Sequence, residues 1–343
     1  MTDAGAVIAA VRQSEEARRR TLARFALAFV ALGIAFAVVA AWRNDVFFFR
    51  LATEALIFGG LALSVDILLG YAGMLSLGQA LFFGLGAYVS ALVLKNVLPS
   101  FWLAMAVTLA ASTVVGFVAA VIATRARGVY FALITFGLAQ VVAKVVFNTP
   151  ALGASDGIIG IPVIRIDLGL VHVDAAKPAA FFLFCLAFIM ALYFLCAYLA
   201  RTPGGRVLAA IRSNEDRVPF LGYPVGRVKM LAFVVAADVA ALSGALYPML
   251  RGFVSPELLY FEVSGNAVIT VIIGGMGTLI GPLYGSALIV VFKSIIGSYT
   301  THHLIVIGTL FVLAVIFFPR GLIGAFAPSL ERRLALRGAA VRP

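Results

Sequence analysis

Apolar runs of about twenty residues, broken by short polar stretches, recur along almost the whole of this chain. Each is long enough to carry a helix across about 30 Å of hydrocarbon. The runs predict spans at 25–42, 51–69, 71–94, 101–123, 129–147, 179–200, 230–250, 261–275, 279–297 and 303–318. The fold this predicts is all-α: a polytopic integral membrane bundle of about ten transmembrane segments, occupying 25–318 as one domain. Two of the ten, 71–94 and 261–275, read equally as straight, broken or re-entrant segments. The stretch GYAGMLSLGQALFFGLGAY (70–88) places Gly70, Gly73, Gly78, Gly84 and Gln79 in an otherwise apolar run, and GGMGTLIGPLYG (274–285) follows 204 residues later. Gly70, Gly73 and Leu75 have the same mutual offsets as Gly274, Gly277 and Leu279. Glycine weakens a helix and lets backbone or solute approach closely. Non-helical backbone at membrane depth is tolerated only inside protein or along a cavity. Paired glycine-interrupted segments in two halves of a chain therefore point to a solute path, with Gly70, Gly73, Gln79, Gly274 and Gly277 as its candidate residues.

Composition agrees: 63% of the 343 residues are hydrophobic, and the mean hydropathy is +1.09. The net charge of +11 matters through its distribution. Five Lys/Arg lie in the tail to Arg24, two in the 124–128 turn, six in the 201–229 loop and five after Phe318, whereas the alternate set of loops holds six in all. Ten spans put every basic-rich segment on one face, which the positive-inside rule makes cytoplasmic. Both termini are then cytoplasmic, as a basic N-tail (1–24) and a basic C-tail (319–343). Nine spans would export one Arg-rich tail. The excess charge suits anionic lipid, and nothing resembles a nucleic-acid-binding face. The first apolar run is too long, and too poor in cleavage signal, for a removable signal peptide.

Among charged residues at membrane depth, Asp66 lies four residues before Gly70 and Asp238 lies in the seventh span; Glu54, Lys144 and Lys293 stand nearer span ends or acids. Burying such groups is costly, so each either bonds neighbouring Ser, Thr or backbone, or lines a solute route, or relays protons. Asp66 and Asp238 join the candidate path residues. The outer segment 148–178 is rich in Gly and Pro, with strand-like alternation at Val163–Asp167. It reads either as a cap on the bundle or as a docking surface. The 201–229 loop offers a short amphipathic helix from Arg206 to Arg217, with Val207, Ala210 and Ile211 on one side and Gly222 and Pro224 closing the unit. It reads as an interfacial anchor or as a lever pressed by a soluble partner. Cys185 and Cys196 are eleven residues apart on one helix, about 16 Å of rise, too far for a disulfide. His302 and His303 point about 100° apart on a helix, which disfavours a shared metal. No GxxxxGK[ST], HExxH or CxxC occurs. No catalytic residue, metal ligand or cofactor is expected in the chain.

Five blocks in order carry a resemblance: GYAGMLSLGQALFFGLGAY, RGVYFALITFGLAQ (127–140), GASDGIIGIP (153–162), GRVLAAIRSNE (205–215) and IIGGMGTLIGPLYG (272–285). Together they resemble the LivM-type permease subunit of branched-chain amino acid ABC importers, from about residue 50 to 324. The resemblance implies a multi-pass subunit of the bacterial plasma (inner) membrane that pairs with a second, homologous permease. Two cytoplasmic ATPase subunits and an external solute-binding protein would complete the importer, with ATP used by those partners. It implies that the helix between spans, here Gly205–Glu215, docks in a cleft of the ATPase, making Gly205, Arg206, Arg212, Asn214 and Glu215 coupling residues. Branched-chain or related amino acids would be the solutes, with urea, aromatic acids or other small polar solutes as alternatives. A self-sufficient ion-coupled secondary transporter is the rival from another class.

Overall fold

A computed structural model describes residues 3–43, 45–167 and 172–299, with helical fragments at 308–309, 312 and 321–324. The first helix, α1 (Asp3–Arg43), continues without a break through most of the predicted tail into the first span. Helix α2 (Val46–Asp66) starts at Asp45, whose carboxylate caps Phe47 N at 3.1 Å, and runs into a π-helical turn at Ile67–Ala72. There follow α3 (Gln79–Asn96), α4 (Phe101–Ala123), α5 (Val129–Asn148), α6 (Pro178–Leu199), the short α7 (Pro203–Ser213), α8 (Val225–Gly244), α9 (Tyr247–Arg251), α10 (Phe261–Gly274) and α11 (Gly281–Tyr299). Among the described residues six helical stretches are long and apolar enough to cross a membrane: Arg19–Arg43, Val46–Ala72, Phe101–Ala123, Val129–Asn148, Pro178–Leu199 and Val225–Arg251. The molecule is an all-α membrane bundle.

Two expected spans need correction. The run 71–94 is not one helix: regular structure ends at Ala72, and α3 begins only at Gln79. The run 261–275 is a helix of 14 residues, about 21 Å long and too short to cross alone. It is reached through a short strand and a 3-10 turn (Pro256–Leu259) that packs against α3 and α5. The predicted tenth span, 303–318, and the C-tail lie almost wholly outside the described residues.

Helix α2 is the axis of the core. It packs against α6, α8, α10 and α11, and Ile57, Leu61, Leu63, Val65 and Leu68 are fully buried. Small residues let the helices close on one another. A Cβ on Gly86 of α3 would strike the Ala241 carbonyl of α8, and one on Gly244 of α8 the Phe83 carbonyl of α3. Such small-residue seams are how apolar helices associate without a hydrophobic driving force.

The loops assigned to opposite membrane faces gather at opposite ends. At one end Lys95 Nζ donates to the Ile159 carbonyl (2.9 Å), Trp102 Nε1 to the Asp167 carbonyl (2.8 Å), and Arg251 pairs with Glu54 (2.6 Å). The alternation at Val163–Asp167 resolves as a hairpin, strand Arg165–Asp167 pairing antiparallel with His172–Asp174. Strand Ile158–Ile159 pairs with Phe253–Val254, fastening the segment to the approach to α10. At the other end of α4, 23 residues and about 34 Å away, the 124–128 turn meets the 201–229 loop through Arg127 and Asp216.

Candidate functional site

The two glycine-interrupted segments, distant in sequence, touch. Gly73 ends the π-helical turn with φ 70°, a left-handed conformation, and the backbone then runs non-helically to Gly78. Leu77 N donates to Thr135 Oγ1 of α5 (3.2 Å), and Ala80 N to Ser264 Oγ of α10 (2.9 Å). On the other side α10 stops at Gly274. The connection to α11 has positive φ at Gly275 (122°), Gly277 (76°) and Leu279 (60°). A leucine in that region costs about 1–2 kcal/mol, so something must hold it.

Asp66 holds it. Its two carboxylate oxygens accept Gly277 N at 2.6 Å and Leu279 N at 2.8 Å, and the residue is wholly buried. Thr278 closes the turn by donating to the Gly275 carbonyl (2.7 Å) and accepting from Gly281 N (2.9 Å). Contact at Gly70 is so close that a Cβ there would lie 2.6 Å from Gly277 N. Only glycine fits. The matching offsets of the two motifs thus correspond to a face-to-face junction: Gly70 against Gly277, with Gly73 one turn away and Gly274 ending the facing helix.

Helix α7 lies beneath this junction. Its apolar side chains Val207, Leu208 and Ile211 are buried, Val207 and Ile211 with Val218 in a small cluster of their own. Arg212 turns inward: its guanidinium donates to the Gly70 carbonyl and reaches Met276 Sδ (4.0 Å). Its aliphatic carbons lie over Gly73. A hydrogen bond from a charged donor contributes about 1.5–3 kcal/mol. Just past α7, Glu215 accepts from Lys229 Nζ at 3.1 and 3.3 Å and pairs with Arg127 Nε at 3.1 Å. Lys229 has only 3% of its side chain exposed. Asn214 Oδ1 accepts Arg217 N (3.2 Å), turning the chain out of the helix. Gly205 packs onto the carbonyl of Ala200. These groups border a cleft of about 350 Å³ lined by Gly73, Met74, Arg127, Phe131, Arg212 and Lys229, among others.

The remaining sequence-predicted residues sit elsewhere. Gln79 is buried at the start of α3, accepting from Ser64 Oγ (3.4 Å) and donating to Ser76 Oγ (3.5 Å). Asp238 lies on α8 away from the junction, where Ser112 Oγ (2.5 Å) and Thr113 Oγ1 (3.1 Å) of α4 donate to it. Arg206 is exposed, as expected of a surface position. Cys185 and Cys196 are free and buried. Sequence reasoning missed Arg127, Lys229, Thr135 and Ser264. Of these, Lys229 alone carried a signal: a lysine five residues into an apolar helix.

Apolar helices packed around two facing glycine turns, with a basic amphipathic helix seated under them, define a membrane transport subunit. A family model described as the branched-chain amino acid transport system permease component matches residues 47–315, and the chain belongs to that family. The high-affinity branched-chain amino acid transport system permease protein LivM of Salmonella typhimurium is 28% identical over 301 residues, covering 82% of this chain and 71% of that protein. LivM of Escherichia coli K12 matches with the same figures. The LivH permease protein of the Salmonella system is 23% identical, covering 79% of this chain and 92% of its own. No solved structure gives a significant match. The chain is a multi-pass permease subunit of an ABC importer, a transport component and not an enzyme.

Proposed function

We propose that the chain is one of two homologous permeases of an ABC importer in the bacterial inner membrane, moving branched-chain or related amino acids inward. Ten spans with both termini cytoplasmic satisfy the charge asymmetry. Two separate ATPase subunits supply the work, so this chain needs no nucleotide site, and an external solute-binding protein delivers the solute. In this reading α7 is the lever. ATPase closure presses on Gly205, Arg206 and Asn214, while Arg212 and Glu215 pass the movement inward. Gly70, Gly73, Gly274 and Gly277 form the hinge of the path at its cytoplasmic end, Asp66 fastens the hinge, and Gln79 and Asp238 brace the helices beside it.

The observation that carries this reading is the bond from Arg212 on α7 to the Gly70 carbonyl, where the two broken segments meet. A helix with this connection cannot shift without disturbing the junction. A mere interfacial anchor has no need of it.

Mild-detergent affinity purification from native membranes, with mass spectrometry of what accompanies the chain, tests the assembly. Recovery of a P-loop ATPase and a second permease is expected. The accompanying binding protein, screened against leucine, urea and aromatic acids, separates the solute classes. A chain that emerges alone and still takes up solute in liposomes under an ion gradient would overturn the reading in favour of secondary transport.

A further inference from the structure

Helix α10 carries a carboxylate at a depth where lipid is a poor neighbour. Glu262 and Asn266, one turn apart, are both exposed, and a Cβ on Gly265 between them would meet only the rim of Phe261, at 3.9 Å. Neighbouring helices fix the depth. Phe261 lies edge-on to Phe136, in the middle third of α5, with ring centres 5.2 Å apart. Ser264 bonds the start of α3, and Leu259 packs on Gly84. Glu262 therefore stands level with Gly84 of α3 and Phe136 of α5, within the hydrocarbon thickness.

Asp66, Asp238 and Glu54 have their partners within the chain. Among the described residues Glu262 has no ion pair. Glu262 lies in the first turn of α10; an acid facing lipid at this depth is disfavoured, so its neighbour in the assembly is water or protein. The open strip continues onto α5. Gly137 has no atom within 4 Å of where a Cβ would stand, and Gln140, one turn beyond Phe136, has a buried Nε2 without an acceptor. A buried amide nitrogen of this kind normally has a partner. One strip thus offers an unneutralised carboxylate, the exposed amide of Asn266 and aromatic walls.

We propose that Glu262, with Asn266, is the polar station of the solute path at the seam with the second permease. Glu262 takes the ammonium of an amino-acid solute, and Phe136 and Phe261 meet its apolar side chain. This rests on the reading of the chain as an amino-acid permease.

The test uses the co-purified importer in nanodiscs, with Cys185 and Cys196 replaced by alanine and single cysteines placed at Glu262, Asn266 or Phe117, an exposed position on α4. A cationic, membrane-impermeant methanethiosulfonate should modify Glu262→Cys and Asn266→Cys at least 10-fold faster than Phe117→Cys. In the Asn266→Cys importer, which keeps Glu262, leucine should slow the modification. Glu262→Gln should raise the KM for uptake 10-fold or more with ATP hydrolysis retained, and Glu262→Asp should recover most of the loss. Modification no faster than at Phe117 in an importer that still carries solute, or wild-type uptake by Glu262→Gln, would overturn the proposal. An unmodified importer that carries no amino acid would instead count against the permease reading beneath it.

Discussion

Replacing Asp66 by alanine separates a fastening role from a role in contacting solute. The carboxylate accepts two backbone bonds, from Gly277 at 2.6 Å and Leu279 at 2.8 Å, across 211 and 213 residues of chain. Bonds to a charged group contribute about 1.5–3 kcal/mol each after desolvation. Two give about 3–6 kcal/mol, and some relaxation around the vacated space brings the expected loss to about 3–4 kcal/mol. An amide in place of the Asp66 carboxylate would retain one acceptor but turn its N–H₂ toward a backbone N–H, so Asp66→Asn should lose about 2 kcal/mol. Unfolding by sodium dodecyl sulfate in mixed micelles, followed by the fluorescence of Trp42 and Trp102, measures both. The two variants should fall in that order, with increased proteolysis or hydrogen exchange at 275–280. A loss below about 1 kcal/mol in Asp66→Ala, accompanied by abolished uptake, would refute the fastening account and make Asp66 a solute contact.

Other consequences follow from the same geometry. Gly70→Ala sets a methyl against the backbone of Gly277, which cannot step aside as a side chain would; it should cost about 2–3 kcal/mol in the same titration and reduce uptake more than Gly226→Ala does. Glu215→Gln leaves the Lys229 ammonium, almost wholly buried, without a counter-charge; the loss of about 3 kcal/mol should appear as protease sensitivity of the 201–229 loop. Arg212→Gln should uncouple the importer, lowering solute uptake at least 10-fold while ATP hydrolysis by the assembled complex persists. Equal falls in both activities would mean that Arg212 serves assembly instead.

The class of fold was readable from the apolar runs, and the junction was half readable. Shared offsets of Gly70, Gly73 and Leu75 with Gly274, Gly277 and Leu279 marked two related turns, and the structure sets Gly70 against Gly277. Nothing in the sequence tied Asp66 to Gly277 and Leu279, because a carboxylate that accepts backbone N–H groups leaves no pattern in side-chain identities. The amphipathic spacing of 206–217 gave α7 and its buried Val207 and Ile211, but the helix runs from Pro203 to Ser213 and stops short of Arg217. It could not show that Arg212 bends inward, since the spacing alone places an arginine on the polar side. The run 71–94 left a straight and a broken segment both open, because Met74, Leu75 and Leu77 between the glycines are apolar. Their backbone is nevertheless non-helical, with Thr135 and Ser264 bonding the stretch from other helices. Glu262 drew no notice because its helix starts in mid-bundle, a depth set by the 3-10 turn before it rather than by any count of residues.

Uptake of radiolabelled leucine into proteoliposomes tests the central claim most directly, comparing the chain alone with the chain co-reconstituted with its partner permease and ATPases. The account predicts accumulation only in the complete assembly, dependent on ATP and on the external binding protein, and lost with Arg212→Gln. Accumulation by the chain alone, driven by a proton or sodium gradient and indifferent to ATP, would contradict it.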